Sequence, residues 1–257
     1  MVRDSQIATR RNIAVKAARK AGMLLSRRFG NINKIRAKAD RDLVTDIDLA
    51  AERIIKHQII KNFPCDSIIS EENPVEQKAD FIWIIDPLDG THNYIHNIDI
   101  FGVSIALAYK DEVVAGVIYM PQEDELYLAE RKRGAYLNGR RISVSKRKID
   151  QATLIFDSSL RYQKNRMLKG LSRLVDRVFN VRMFGSTVRS LSFVAEGKAE
   201  AEIEYNDKPW DFAAGLLLVE EAGGRATDLR GKKWNLKSRG YIASNGKIHN
   251  RLLKLVK

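Results

Sequence analysis

Alternating helical and strand-like periodicity predicts an α/β (α+β) fold, with layers of helix and sheet stacked in one compact body. Three observations lead there. Apolar residues at helical spacing near the N-terminus give way to strand-like runs, and the same succession restarts in the second half. Long loops are few, and there is no tandem repeat, low-complexity tract or evident flexible linker. The 257 residues, 44% hydrophobic and 30% charged, suffice for a large core. The expected organisation is a single domain over 1–257, built of two sub-lobes, about 1–150 and 151–257, that share a cleft.

Ile7, Ala14, Ala18, Ala21 and Leu25 predict a first helix through about residue 28. The stretch from Arg3 to Arg28 is rich in Arg and Lys and holds one acid, Asp4, so a targeting peptide or surface-binding segment is the alternative. No apolar signal core with a small-residue cleavage site accompanies it, which favours a first helix with a solvated basic face. Leu49, Ile54, Ile55 and Ile59 predict a second helix, with Thr45 and Asp46 as caps. The short apolar run Ser67-Ile68-Ile69 follows, and then a buried strand from Phe81 to Ile85 that ends abruptly at Asp86. Two strand-like runs between Phe101 and Tyr119 flank a turn at Lys110–Asp111. Glu125 to Ala129 reads as another strand, and Gly134 to Gly139 as a loop or tight hairpin.

The second half opens with a strand at Thr153 to Phe156, a basic helix around Met167 to Val178 and a strand reaching Met183. An apolar helix follows from Val188 to Ala195, and a strand from Ala199 to Tyr205. Asp211 then opens a long apolar helix that ends at Gly223 and Gly224, where glycine suits a C-cap.

Composition narrows the function classes. No stretch of about eighteen apolar residues offers a membrane span, and a cytoplasmic location is expected. The single cysteine, Cys65, excludes an intrachain disulfide framework and a multi-cysteine zinc site. The net charge of +13 favours anionic partners, either small phosphates or a nucleic acid surface. The basic residues are scattered and do not interleave with aromatics as a single-strand platform requires, so a basic surface that only aids solubility competes with a specific polyanion partner.

The chemistry concentrates in Ile84-Ile85-Asp86-Pro87-Leu88-Asp89-Gly90-Thr91. Two acids three residues apart at a strand end, with Pro87 fixing one backbone angle and Gly90 permitting a sharp turn, suit a hard cation. Magnesium takes oxygen ligands, so Asp86 could bridge two ions, Asp89 hold one, and the Leu88 carbonyl complete a shell. Gly90 and Thr91 would start a helix whose free amides accept a phosphate. Alone, the same letters also make a surface turn. Glu71-Glu72 after the apolar run, and Asp211 after Pro209-Trp210, tip the balance, although each has a plain reading as solvated loop or helix cap.

In this order and spacing, Trp83 to Thr91, Pro209 to Gly215 and Glu220 to Gly224 resemble both signatures of the inositol monophosphatase family, and the resemblance covers nearly the whole chain. It implies the layered αβαβα sugar-phosphatase fold and a magnesium-dependent, lithium-sensitive phosphomonoesterase with two or three Mg2+ ions. The implied metal ligands are Glu71, Asp86, the Leu88 carbonyl, Asp89 and Asp211. Thr91 is expected to orient the attacking water, and Asp48, the last acid of Asp42 to Asp48, to accept its proton, so that Thr91, Asp48 and Glu71 form the catalytic set. Lys38 lies where the family has a basic residue near the site. Gly90, Thr91, Gly185, Ser186, Thr187, Glu204 and Asp211 are the implied substrate contacts. Asp99 and Ile100 depart from the proline and aromatic often found there, which puts that loop's shape in question.

Convergence of five carboxylates would be strongly repulsive without cations. Two ions roughly 3.5–4 Å apart would relieve it and support in-line displacement at phosphorus. The substrates on this architecture include inositol monophosphate, fructose 1,6-bisphosphate and nucleotide 3′-phosphates. Inositol or sugar phosphates rank first, because Glu204 suits a polyol and only Arg161, Tyr162 and Arg189 offer themselves as a base platform. The resemblance further implies a homodimer, and relatives that join transcription complexes make RNA or transcription-complex binding the reading from another class.

Overall fold

The computed structural model describes residues 2–31, 35–39, 42–72 and 79–256, and the side chains at 37–44, Lys38 among them, lie outside the described residues. Helix α1 (Val2–Arg28) leads into the antiparallel pair β1 (Ile35–Ala39) and β2 (Asp42–Thr45), then α2 (Asp46–Asn62). A seven-stranded sheet follows, in the order β3-β4-β5-β6-β7-β8-β9. Its strands are β3 (Ser67–Ser70), β4 (Phe81–Asp89), β5 (Gly102–Tyr109), β6 (Glu112–Met120), β7 (Glu125–Glu130), β8 (Gly134–Leu137) and β9 (Arg140–Arg141), and α3 (Thr91–Ile95) sits between β4 and β5. Only β3 and β4 pair in parallel, and the rest is an antiparallel meander.

The second half alternates helix and strand: β10 (Thr153–Phe156), α4 (Lys164–Val175), β11 (Asn180–Arg182), α5 (Thr187–Ala195), β12 (Ala201–Glu204), α6 (Pro209–Glu221), β13 (Arg225–Asp228), β14 (Tyr241–Ser244) and α7 (His249–Leu255). These strands make a five-stranded sheet in the order β11-β10-β12-β14-β13.

The layers follow from side-chain alternation. Every residue of β4 is buried, as its continuous apolar run requires of a strand covered on both faces. Phe81, Trp83 and Ile85 face one core with Ala17, Ala21 and Leu25 of α1 and Ile55 and Ile59 of α2. Ile82 and Ile84 face a second core with Leu191 of α5 and Phe212 to Val219 of α6. Helix α6 is buried all round, since the same core continues through Tyr241 and Ala243 of β14 on the other sheet. A third core joins Leu154, Phe156 and Ile203 to Leu174 of α4 and Leu252 of α7. The result is five layers, helices–sheet–helices–sheet–helices, as the resemblance implies. At one contact only a glycine fits: a Cβ on Gly116 of β6 would lie 2.8 Å from the Ala214 carbonyl oxygen of α6.

Several expectations shift. The basic helix runs over 164–175 rather than 167–178, and the strand expected to reach Met183 ends at Arg182. The segment 134–139 is a hairpin whose two turn residues, Asn138 and Gly139, both have positive φ (47° and 78°), the twist-compatible turn that Asn-Gly favours. Asp211 is the third residue of α6, behind Pro209, not its cap. The β1–β2 pair, β13, β14 and α7 had no expectation. Helix α1 buries Ile7, Ala14, Ala18, Ala21 and Leu25, so it is an integral helix of the fold. Among the described residues, no helix is long and apolar enough to cross a membrane.

Candidate metal centre and active-site cleft

Asp86 and Asp89 lie three residues apart on β4, a spacing that would point them to opposite faces of a regular strand. The register resolves this. Asp86 pairs with Ser104 and Asp89 with Gly102, so three steps on β4 face two on β5. That one-residue bulge returns both carboxylates to one side. Gly90 then turns the chain with φ 84°, where a Cβ would meet the Ile100 carbonyl oxygen at 2.8 Å. Asn93 ties this turn down by donating to the carbonyls of Ile100 (2.9 Å) and Phe184 (2.8 Å), which shapes the Asp99–Ile100 loop in which the sequence departs from the family pattern.

The third acid comes from the other half of the chain. Proline at the first position of α6 starts the helix, and Asp211, two residues on, accepts the Lys208 amide at 2.8 Å. One carboxylate oxygen each from Asp86, Asp89 and Asp211 lies within 4.8 Å of the others. Glu71 follows β3, and its amide bonds to the Ile85 carbonyl at 3.1 Å beside the end of β4. It is not part of the 4.8 Å trio, yet its charge raises the pKa of all three members.

Burial comes first among the causes, and mutual repulsion adds to it. Asp86, 1% exposed, is held well above the usual carboxylate range by burial and then by Glu71, Asp89 and Asp211. Asp211 is raised likewise by burial, Asp207 and Glu71. Asp89 reaches only about 6, because the first turn of α5 opposes its burial: it accepts from the Ser186 hydroxyl and from the amides of Thr187 (3.2 Å) and Val188 (3.3 Å). Ser186 and the Thr187 amide, expected at the substrate, are therefore directed at an acid of the trio. Such an all-oxygen, over-charged donor set fits a hard divalent cation.

Beside the trio stands the Thr91–Asp48 pair. The Thr91 hydroxyl lies 3.1 Å from Asp48 Oδ1 and 2.9 Å from the Leu88 carbonyl oxygen. Asp48 is placed by a capping box at the start of α2. Its Oδ2 accepts the Thr45 amide at 2.9 Å and the Thr45 hydroxyl, while Thr45 caps the helix as expected. Burial raises the Asp48 pKa against these hydrogen bonds.

A cavity of about 200 Å³ adjoins Asp89 and Asp211, lined also by Gly185, Thr187, Glu204 and two acids without a prior expectation, Asp157 and Asp207. Asp157 directly follows the apolar strand β10, just as Asp86 ends its own apolar run, a signal present in the sequence. Its oxygens accept the amides of Ser159 (2.5 Å) and Tyr205 (3.1 Å). Glu204 is pushed well up by burial and by Asp207, Asp157 and Glu202. Asp207 is pushed to about 8 by burial, Asp157 and Asp89, against hydrogen bonds from Tyr241 and Thr187. Arg189 is no base platform: it is buried and paired with Glu123 (2.6 Å) and Glu125 (2.7 Å). Arg161 and Tyr162 pair with each other and do not line the cavity.

The sequence profile of the Inositol monophosphatase family matches residues 6–257. The chain belongs to the inositol monophosphatase family. It is 36% identical to a fructose-1,6-bisphosphatase/inositol-1-monophosphatase of Thermotoga maritima, over 96% of this chain and 95% of that one. An inositol-1-monophosphatase of Mesorhizobium japonicum is 39% identical, with 96% and 95% covered. The Nus factor SuhB of Escherichia coli is 36% identical, with 94% and 93% covered. Among solved structures, the extragenic suppressor protein suhB of Bartonella henselae superposes with a TM-score of 0.92 at 36% identity, covering 96% of this chain and 97% of that chain. Membership makes the chain a phosphomonoesterase of the inositol monophosphatase family and its acidic trio consistent with the family's metal site.

Proposed function

We propose that the chain hydrolyses inositol monophosphate or a related sugar phosphate with magnesium, and that the juxtaposition of the acidic trio with the Thr91–Asp48 pair carries this reading. Asp86, Asp89 and Asp211, with Glu71 and the Leu88 carbonyl beside them, are the groups that hold two or three ions. When bound, magnesium supplies the positive charge that offsets their repulsion and steadies the charge developing at phosphorus.

The remaining steps belong to the chain. Thr91 donates to Asp48, which leaves its hydroxyl oxygen free to accept from the attacking water. The water oxygen bonds to phosphorus while its proton passes through Thr91 to Asp48, whose raised pKa makes it a better base than an ordinary aspartate. The ester P–O bond breaks, and the leaving alcohol oxygen is protonated from solvent. Gly90 and Thr91 offer amides to the phosphate, and Gly185, Ser186, Thr187 and Glu204 border the alcohol.

A phosphate-release panel with magnesium, using inositol monophosphate, fructose 1,6-bisphosphate and a nucleotide 3′-phosphate, tests the reading. Turnover of the first above the third supports it, and no release from any of them overturns it. Inhibition by lithium at low magnesium and a homodimer by light scattering belong to the same reading. A second role in binding RNA draws support from the net charge of +13 and the Nus factor relative. Filter binding at physiological salt checks it: affinity that falls steeply with salt is expected, and no retention refutes it.

A further inference from the structure

Four residues before Asp211, in the turn between β12 and α6, Asp207 borders the cavity beside the trio without a part in the hydrolysis described above. It is anchored from two elements. The Tyr241 hydroxyl on β14 and the Thr187 hydroxyl on α5 both lie 3.2 Å from its Oδ2. Among the described residues both side-chain bonds end on that one oxygen, which leaves Oδ1 for a ligand. Thr187 is itself fixed, since its amide bonds to Asp89 at 3.2 Å. The Asp207 carboxylate therefore stands in a set position relative to the trio.

The other lining groups define what such a cavity accepts. Asp157 and Glu204 add two more acids, and Ser158, Ser159 and Thr187 add hydroxyls. Among the described lining residues there is no Lys or Arg, and Phe156 and Phe184 are the only large apolar ones. A wall rich in carboxyl and hydroxyl oxygens pairs with the hydroxyls of a polyol, and among the described lining residues a second phosphate entering it finds no Lys or Arg to receive its charge.

We propose that Asp207 is a specificity-determining residue, its Oδ1 accepting a hydroxyl of a polyol monophosphate, and that with Asp157 and Glu204 it turns away sugar bisphosphates. The proposal rests on the phosphomonoesterase reading and narrows it to one substrate class.

The test compares kcat/KM at saturating magnesium for inositol monophosphate, fructose 1,6-bisphosphate and p-nitrophenyl phosphate, which has neither a hydroxyl nor a second phosphate. Wild type is expected to favour inositol monophosphate over the bisphosphate by about a hundredfold, as an unpaired second phosphate and lost hydrogen bonds combine. Asp207→Asn keeps one oxygen for Tyr241 and Thr187 but replaces Oδ1 with an amide nitrogen, which cannot accept a hydroxyl. It is expected to lower kcat/KM for inositol monophosphate about tenfold and to narrow the preference by at least that factor, with p-nitrophenyl phosphate within about threefold. Asp207→Leu is expected to narrow the preference further, and a melting curve for each variant separates misfolding from selectivity. Parallel losses on all three substrates, an unchanged preference in Asp207→Asn, or a wild type that turns over the bisphosphate as well as the monophosphate overturns the proposal. Those outcomes leave the underlying reading intact, whereas no release by wild type from any of the three removes both.

Discussion

Replacing Asp86 by Asn is expected to do two opposite things: end turnover and raise the melting temperature of the metal-free protein. Asp86 is fully buried, has two carboxylates within 4.8 Å and feels Glu71 as well. At an effective dielectric constant of about 20, each ionised pair at that separation repels by roughly 3 kcal/mol. The chain avoids the full sum by taking up a proton, and holding a carboxyl protonated at pH 7.5 against an ordinary pKa near 3.8 costs at most about 5 kcal/mol. The amide is isosteric, keeps the 2.9 Å bond from the Leu88 amide through its oxygen and carries no charge. A gain of about 2–4 kcal/mol follows, or roughly 5–10 °C for a chain of this size.

The sign fixes the pH dependence. Raised folded pKa values mean that the native state binds more protons than the unfolded chain, so apo stability falls as pH rises from about 4 towards the folded values. The advantage of the variant therefore shrinks by up to about 1.4 kcal/mol for each unit that pH is lowered from 7.5. Magnesium narrows or closes the gap. At a hundred times its Kd it adds about 2.7 kcal/mol to wild type, several degrees, and little to Asp86→Asn. Calorimetry of EDTA-treated protein at pH 5.5 and 7.5, repeated with magnesium and paired with phosphate release, reads all of these. A variant that melts below wild type in EDTA, or that gains as much from magnesium, would refute the account of the trio.

Three other outcomes follow from particular contacts. Thr91→Ala is expected to lower kcat by about a hundredfold to ten-thousandfold with little change in KM, and Thr91→Ser to restore much of it, in steady-state phosphate release; a change in KM alone would rule out the proton path. Gly116→Ala forces a Cβ to 2.8 Å from the Ala214 oxygen and 3.0 Å from its Cα, so β6 and α6 must part, and a loss of about 2–3 kcal/mol is expected in urea unfolding; an unchanged midpoint would contradict the close approach. His249 is buried neutral between Thr227 and Ser244, both at 2.9 Å, and burial lowers its pKa to about 4. Its contribution is complete above about pH 6.5 and is lost as pH falls towards 4; with partial solvation allowed for, it amounts to roughly 2 kcal/mol, which His249→Gln should remove from the acid limb of a urea midpoint–pH profile.

Much of the layered fold could be read from the sequence, because β4 and α6 announce themselves. A nine-residue strand buried on both faces has to be apolar throughout up to its terminal acids, and a helix buried all round shows no polar stripe. The bulge that turns Asp86 and Asp89 to one side was not legible, since it is a relation between β4 and the register of β5. Asp48 was placed by resemblance, but its second task as partner of Thr45 is a capping-box pattern that Thr45-x-x-Asp48 spells out. Asp207 was hidden for another reason. Its meaning depends on Tyr241, which lies on a four-residue strand too short to stand out from the turn-rich segment before it.

The middle layer explains how one chain tolerates this much buried acid. Helices α5 and α6 pack against each other between the sheets, and both begin at the cleft. The start of α5 gives Asp89 two amides and the Ser186 hydroxyl, whereas Asp211 receives one amide at the start of α6 and Asp86 one from Leu88. Free amides at a helix start favour negative charge, so Asp89 stays the most readily ionised member of the trio, while its two neighbours, held further above the carboxylate range, remain under-compensated. The backbone meets part of the buried charge, and a cation would meet the rest.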